Sequence, residues 1–368
     1  MTTEHKIALL PGDGIGPEVL TEARKVLSFF SGRGDHIFSV EEAPFGANAY
    51  FDHGNPFPKQ TVAVCDQADA ILKAPVGLAY DEAVKIPVDM QPERGAVLPL
   101  RKRFNTYANL RPIHLPAPLA RFSPLKSSIV ANGIDIVLIR ELLGGLYFGE
   151  KKIGKDENGI RYAEEILIYD EIQIRQVLTA AFEIAATRNG VLHNIHKANI
   201  LKSSVLWNEI LEEVSSDFPD VTVVNMLVDA ATTHMCLNPT QFSTMVMENM
   251  FGDILSDLGG GIIGSLGFMP SACVGPEKSY FEPSHGSAPD IAGKNLANPY
   301  SMIGSVAMML QYSFDMNDEA ESIWQAMQKV FDDGFTTPDL SSLSPDSEVV
   351  GTIEFGDKVI ENLELDSN

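Results

Sequence analysis

Cysteine is scarce in this chain: three occur in 368 residues, at positions 65, 236 and 273. The number is odd and no two are spaced as CxxC, so neither a disulfide framework nor a cysteine zinc site is expected. That usage suits a reducing compartment. No stretch approaches the ~18 consecutive apolar residues of a membrane helix. The opening MTTEHKIALLPGDG has only residues 7–10 as an apolar run before a turn, too short for a signal peptide, so a cytoplasmic address is expected. Positive charge is also in short supply, with 27 Lys+Arg against 50 Asp+Glu and a net charge of -23. Such a field repels phosphate backbones and anionic lipid, which argues against nucleic acid and membrane as partners. It repels small anions too, unless cations are gathered locally. Internal repeats, low-complexity tracts and flexible Gly/Ser linkers are absent as well.

What is present is an ordinary soluble composition, 45% hydrophobic and 21% charged. At ~150 residues per domain the length amounts to roughly two to two and a half domains. Short apolar runs alternate with helical periodicity. Residues 6–10 read as a buried strand and 17–30 as a helix with proline in its first turn. Further strands are predicted at 70–76, 134–140, 191–195, 221–228 and 242–247. Helices are predicted at 98–104, 171–188, 252–264, 301–314 and 319–331. Strands separated by helices predict an α/β fold. The one proline-rich stretch, 111–124, reads as a passage between domains.

The turn Gly12-Asp13-Gly14-Ile15-Gly16-Pro17 follows a strand and opens a helix, as a dinucleotide fingerprint would. Its third glycine would fall at position 17, which is proline, so the GxGxxG spacing fails. A literal match at residues 259–264 sits in a predicted helix, where close packing accounts for it. Arg101, Arg111 and Arg140 read either as solvated surface residues or as a cradle for carboxylates, which a guanidinium fork grips with two parallel hydrogen bonds. Asp253 and Asp257 stand four apart on one helical face. Like charges there are mildly unfavourable unless a hard divalent cation bridges them; a solvated acidic face is the alternative. Asp229, at a strand's C-terminal end, is a third candidate ligand. Lys197, after another strand, and Tyr147 read as proton-transfer groups or as a surface lysine and a core aromatic. The small-residue turn 285–290 would let a flat ligand approach the backbone, or is simply a tight loop.

The ordered segments LLPGDGIGPEV, QPERGAVLPLRK, YANLRP, REL-GG-YFG, HKANIL with SSVLW, VDA, NMFGDILSD, GSLG, MPSA and EPSHGSAPDIAGKNLANP run almost end to end. Together they resemble the isocitrate/isopropylmalate group of β-decarboxylating dehydrogenases. The resemblance implies a two-domain, non-Rossmann α/β subunit in a homodimer with shared active sites. Its first domain is expected at 1–106 plus 265–368, and its second, with a β-arm near 159–170, at 107–264. It implies that Arg101, Arg111 and Arg140 bind malate carboxylates, and that Asp253 and Asp257 with the partner copy's Asp229 hold Mg²⁺ or Mn²⁺. Tyr147 and the partner copy's Lys197 become the proton-transfer pair. NAD is expected along Glu93, Glu282, His285, Gly286, Ser287, Ala288, Pro289, Asp290, Ile291 and Asn298. A carboxylate at 290 accepts from ribose hydroxyls and repels a 2′-phosphate, which favours NAD over NADP.

The implied reaction is NAD-dependent oxidative decarboxylation of a 2-hydroxy acid. Val97 and Leu98, joined by Ile200 of the other copy, would wall the substituent at malate C3. An apolar wall suits the isopropyl group of 3-isopropylmalate, an intermediate of leucine biosynthesis. A third carboxylate, as in isocitrate, would be costly to bury there. D-Malate, tartrate or another 3-alkylmalate are the alternatives. The chain departs from the usual pattern at residues 73–78, which are less glycine-rich, and at Leu143, His196 and Val97. None of these touches the arginines, the three aspartates, Lys197 or Tyr147.

Overall fold

A computed structural model describes residues 3–366, without the side chain of residue 366. Twelve strands carry the argument: β1 (Thr3–Leu10), β2 (His36–Glu42), β3 (Ala70–Lys73), β4 (Ala108–Leu115), β5 (Ile134–Glu141), β6 (Lys151–Lys155), β7 (Arg161–Glu165), β8 (Val191–His196), β9 (Thr222–Leu227), β10 (Thr244–Met247), β11 (Pro270–Val274) and β12 (Tyr280–Pro283). Ten of them form one sheet in the order β2-β1-β3-β12-β11-β4-β5-β10-β8-β9. One half of that order draws on both ends of the chain and the other on its middle. The pairs at the seam, β12–β11, β11–β4 and β4–β5, are antiparallel, and the flanking pairs are parallel. Parallel strands must be covered on both faces, and the sequence supplies near-continuous apolar runs for them. Ile7, Ala8, Leu9 and Leu10 are all buried, as are the four residues of β3.

The predicted α/β alternation is the fold observed, with shifted boundaries that have local causes. The helix expected from residue 252 begins earlier and spans Asn249–Ile263, because Glu248 caps it and accepts from the Phe251 amide. Such caps contribute about 1 kcal/mol. The helix Glu171–Thr187 opens with a reciprocal capping box between Asp170 and Gln173. The strand expected from 242 starts at Thr244, after a 3-10 turn at Pro239–Gln241. The arm expected near 159–170 is instead the hairpin β6–β7, starting at Lys151. Its strands carry charged residues among few apolar ones, so its period-2 signal is weak.

The glycine-rich turn after β1 is a structural joint. The Asp13 carboxylate accepts from the amides of Ala47, Asn48 and Gly77. Gly14 has a positive φ of 54°, and a Cβ there would lie 2.1 Å from the Ser287 carbonyl oxygen. The turn thus packs on the 284–291 loop without a phosphate to hold. The literal GxGxxG at 259–264 is likewise helical packing, with Gly259 against the Ile113 side chain.

Candidate active site

A cleft of about 670 Å³ opens beside the seam of the sheet. Among its lining residues are Lys73, Glu93, Val97, Leu98, Arg101, Arg111, Arg140, Tyr147, Asp253, Glu282 and His285. Antiparallel pairing brings two of the arginines together. Arg140 stands directly across from Asn109, and Arg111 lies two residues further along β4, so all three share one sheet face. Arg111 Nε donates to Asn109 Oδ1 at 2.5 Å. Arg101 arrives on the short helix Leu98–Arg103 and donates to the Tyr280 hydroxyl at 3.2 Å. All three arginines are buried, which removes the solvated-surface reading.

One face of the helix Asn249–Ile263 completes the cradle. Asn249 Oδ1 accepts from Arg140 Nε and Nη2 at 3.0 and 2.8 Å. Gly252 makes room for the arginine stem, since a Cβ there would sit 2.5 Å from Arg140 Cγ. Asp253 takes the remaining Arg140 nitrogen and the Tyr147 hydroxyl. Ser256 accepts from Arg111 Nη1 at 2.6 Å. Asp253 and Asp257 lie 3.9 and 4.0 Å from Arg111 Nη1. Burial and its Arg111 and Arg101 neighbours push the Arg140 guanidinium down to about 10, still charged at neutral pH. Burial works against the ionised Asp253 carboxyl, but Arg140 and the Tyr147 hydroxyl hold it below its ordinary value. Burial first, and then Asp253, raise Tyr147, so its phenol stays protonated.

The cleft lining also carries a buried ion pair, Lys73 with Glu282. Burial opposes the charge on Glu282, but Lys73 and Arg101 keep its carboxyl below the usual range. Lys73 belongs to the segment 73–78 that departs from the family pattern, and here it acts as the counter-ion of Glu282. Beyond it runs the loop 284–291. Ser287 is tied down from both sides, accepting the Ile15 amide at 2.8 Å and donating to the Gly77 carbonyl at 2.8 Å. Ala288 adopts a positive φ of 39°, strained for a residue with a side chain. His285 Nδ1 contacts the Gly286 carbonyl oxygen at 2.8 Å, while Nε2 is buried without a partner. Gly286, Pro289 and Asp290 are exposed, and Ile291 is half-buried. Asn298 lies deeper and bonds to the Tyr300 amide and to Asp339.

Three expected site residues lie away from this cleft. Lys197 Nζ pairs with Asp229 Oδ1 at 2.5 Å, and that bond lowers the Asp229 carboxyl. Ile200, just beyond, is 72% exposed. Among the described residues no three His, Cys, Asp or Glu side chains converge as a metal site. Asp253 and Asp257 offer hard oxygen donors of the type Mg²⁺ and Mn²⁺ take. They fit such an ion only as part of a larger set. Asn249, Ser256 and Tyr280 escaped the sequence reading, and Lys73 entered it only as part of the departing segment 73–78. Asn249 and Ser256 share the helical spacing of Asp253, a signal that would have found them.

Residues 6–359 match the model of the isocitrate/isopropylmalate dehydrogenase family. The chain is 44% identical to the 3-isopropylmalate dehydrogenases of Vibrio parahaemolyticus and Salmonella typhimurium, over 97% of this chain and 97% of each relative. Its fold resembles the isocitrate dehydrogenase of Methylococcus capsulatus, with a TM-score of 0.85, 33% identity and coverage of 98% and 99% of the two chains. It also resembles a β-decarboxylating dehydrogenase of Thermococcus kodakarensis, with a TM-score of 0.78, 31% identity and coverage of 98% and 96%. With the cleft, its arginines and this likeness along nearly the whole chain together, the protein belongs to the isocitrate/isopropylmalate dehydrogenase family.

Proposed function

We propose that this enzyme oxidises and decarboxylates 3-isopropylmalate with NAD⁺, giving 4-methyl-2-oxopentanoate, CO₂ and NADH, in the cytoplasm and in the service of leucine biosynthesis. The single observation that carries this is three buried arginines around a cleft whose lining includes the apolar side chains of Val97, Leu98 and Leu146. That wall suits an isopropyl group and disfavours a third carboxylate. The cations overcome the chain's net charge of -23 where it matters and hold the dianion in register.

The domain boundary is proposed at 106/107 and 264/265, supported by a sheet whose two halves draw on the ends and on the middle of the chain. The second copy is proposed to bring Lys197, Asp229 and Ile200 to this cleft. Exposed apolar residues at the arm and near it, among them Ile153 at 86% exposure, give that copy a surface to cover. Asp253 and Asp257, with the second copy's Asp229, would hold Mg²⁺ or Mn²⁺, which would polarise the C2 oxygen throughout. Lys197 takes the proton of the C2 hydroxyl, through water; NAD, when bound, would supply the acceptor for the C2 hydride. The C3 carboxylate then departs as CO₂. Tyr147, kept protonated, delivers a proton to C3 of the enol. The loop 284–291 and Glu93 would carry NAD, with Asp290 toward the ribose and the unpartnered His285 Nε2 available to it.

The test is NADH formation with 3-isopropylmalate, D-malate, tartrate and isocitrate in parallel, with and without a chelator. Turnover of 3-isopropylmalate should dominate and vanish with chelation. An equal or better kcat/KM on D-malate refutes the substrate assignment.

A further inference from the structure

Arg140 poses a physical problem. It is 1% exposed, lies among two other arginines and must be aimed at a ligand. A carboxylate placed against its whole fork would hold it but also cancel its charge. Asn249 solves this differently. One neutral oxygen accepts from both Nε and Nη2, leaving Nη1 directed to the cleft side, where Asp253 stands. The same side chain donates from Nδ2 to the Gly144 carbonyl at 3.2 Å, one residue before the turn Gly145–Tyr147. Its backbone amide donates to the Tyr169 hydroxyl at 3.0 Å, which in turn donates to Glu248 at 3.2 Å. Tyr169 also packs against Gly144, where a Cβ would sit 2.4 Å from its ring. Asn249 itself is fully buried.

We propose that Asn249 is a positioning residue for the reaction: it aims the Arg140 guanidinium, clamps it to the turn that carries Tyr147, and by being neutral adds no carboxylate beyond Asp253 to compete with the substrate for the Arg140 charge. Few side chains can do all three. Aspartate accepts from the fork but neutralises it and cannot donate to Gly144. Alanine does neither, and glutamine is a methylene too long for the same geometry. The inference rests on Arg140 binding a dicarboxylate, and the experiment separates the two.

The full-length protein is labelled with ¹⁵N-arginine, and the Arg140 Nε–H resonance is assigned with Arg140→Lys. Calorimetry with Mg²⁺ and without NAD measures affinity for 3-isopropylmalate, and steady-state kinetics give the KM for NAD. In wild type the Nε–H should exchange slowly. Asn249→Ala should abolish that protection and weaken dicarboxylate binding at least tenfold, about 1.4 kcal/mol, with the KM for NAD within twofold. Asn249→Asp should keep the protected Nε–H yet still lose tenfold in affinity. An Asn249→Asp variant with wild-type affinity overturns the role of neutrality. An Asn249→Ala variant with a protected Nε–H overturns the aiming role. Should wild type bind 3-isopropylmalate without oxidising it, the functional reading fails while these comparisons still decide the inference.

Discussion

Two groups of residues assigned to one site behave differently in the single chain. Arg101, Arg111, Arg140 and Tyr147 converge on a cleft, and the arginines are buried, Arg111 and Arg140 held by partners along one helix face and Arg101 by Tyr280 of β12. Lys197, Asp229 and Ile200 lie elsewhere, paired with each other or facing solvent. The enclosed group is prepared by its own fold. The exposed group has an ion pair that water screens and that contributes little to stability. The difference separates a cluster that one chain encloses by itself from one that the proposed second copy would have to complete.

Mixing inactive variants breaks or upholds this division most sharply. Arg140→Ala and Lys197→Ala should each lose at least about 10³-fold in kcat, roughly 4 kcal/mol. Co-refolded in equal amounts, half of the dimers should be hybrids carrying one intact site of two. Activity should then recover to about a quarter of wild type. If both residues served the same protomer's site, the mixture would stay inactive.

The next test probes the rigidity of the enclosed group. Glu141 ends β5 behind Arg140 and accepts from the Leu143 and Gly144 amides. Burial raises its carboxyl to about 7, against 4.5 for a free glutamate. A folded-state value raised in this way favours the protonated native form. The stability it contributes is complete below pH 4.5 and is lost as pH climbs through 7. At 1.36 kcal/mol per pH unit this is about 3 kcal/mol. In denaturant unfolding, wild type should lose about 2.5 kcal/mol more stability than Glu141→Gln between pH 5 and pH 8. Parallel pH profiles would show that Glu141 is ionised in the fold throughout.

These two groups also mark how far the sequence could be read. Strand β5 was legible because IDIVLIR is β-branched and apolar, and Arg140 stood out as the charge ending it. Asp253 and Asp257 were legible through helical spacing. The burial of Arg101 was not, since LPLRKRF presents three cations of which only Arg101 turns inward. Cross-strand register decides which residues share a face, so Asn109 beside Arg111 has no one-dimensional signature, whereas Asn249 stood in the helical spacing of Asp253 and was passed over. The hairpin β6–β7 was only partly legible, because its strands are exposed and have no core of their own to pattern against. Lys73 was noticed as a departure, but its burial against Glu282 follows only from β3 lying next to β12.

The apolar wall joins the two groups, and its two sides can be compared. Val97 lines the cleft of its own chain, and Ile200, exposed in its own chain, is the residue proposed for the other copy's. Val97→Ala and Ile200→Ala should each reduce the preference for 3-isopropylmalate over D-malate, measured as the ratio of kcat/KM. The reduction should be about 10- to 100-fold, since a lost methylene contact in a pocket is worth ~1–3 kcal/mol. Thermal stability should fall only for Val97→Ala, because Ile200 packs on little within its own chain. A specificity change with Val97→Ala alone would remove Ile200 from the wall and narrow the contribution of the second copy.

The smallest effect concerns cofactor choice, in a loop that belongs wholly to one chain. Asp290 is exposed and its backbone carbonyl accepts from Lys294 at 2.7 Å, while its carboxylate takes no hydrogen bond among the described residues. A carboxylate so placed is available to ribose hydroxyls and repels a 2′-phosphate, although solvent and salt screen that repulsion. Asp290→Lys should therefore lower the NAD/NADP ratio of kcat/KM by about tenfold, near 1.4 kcal/mol, and the shift should shrink as salt is raised. The KM for 3-isopropylmalate should not move, because Arg101, Arg111 and Arg140 are held by contacts outside this loop. A change in both would mean that the cofactor loop and the arginine cradle do not respond independently. A ratio unchanged at low salt would take Asp290 away from the ribose altogether.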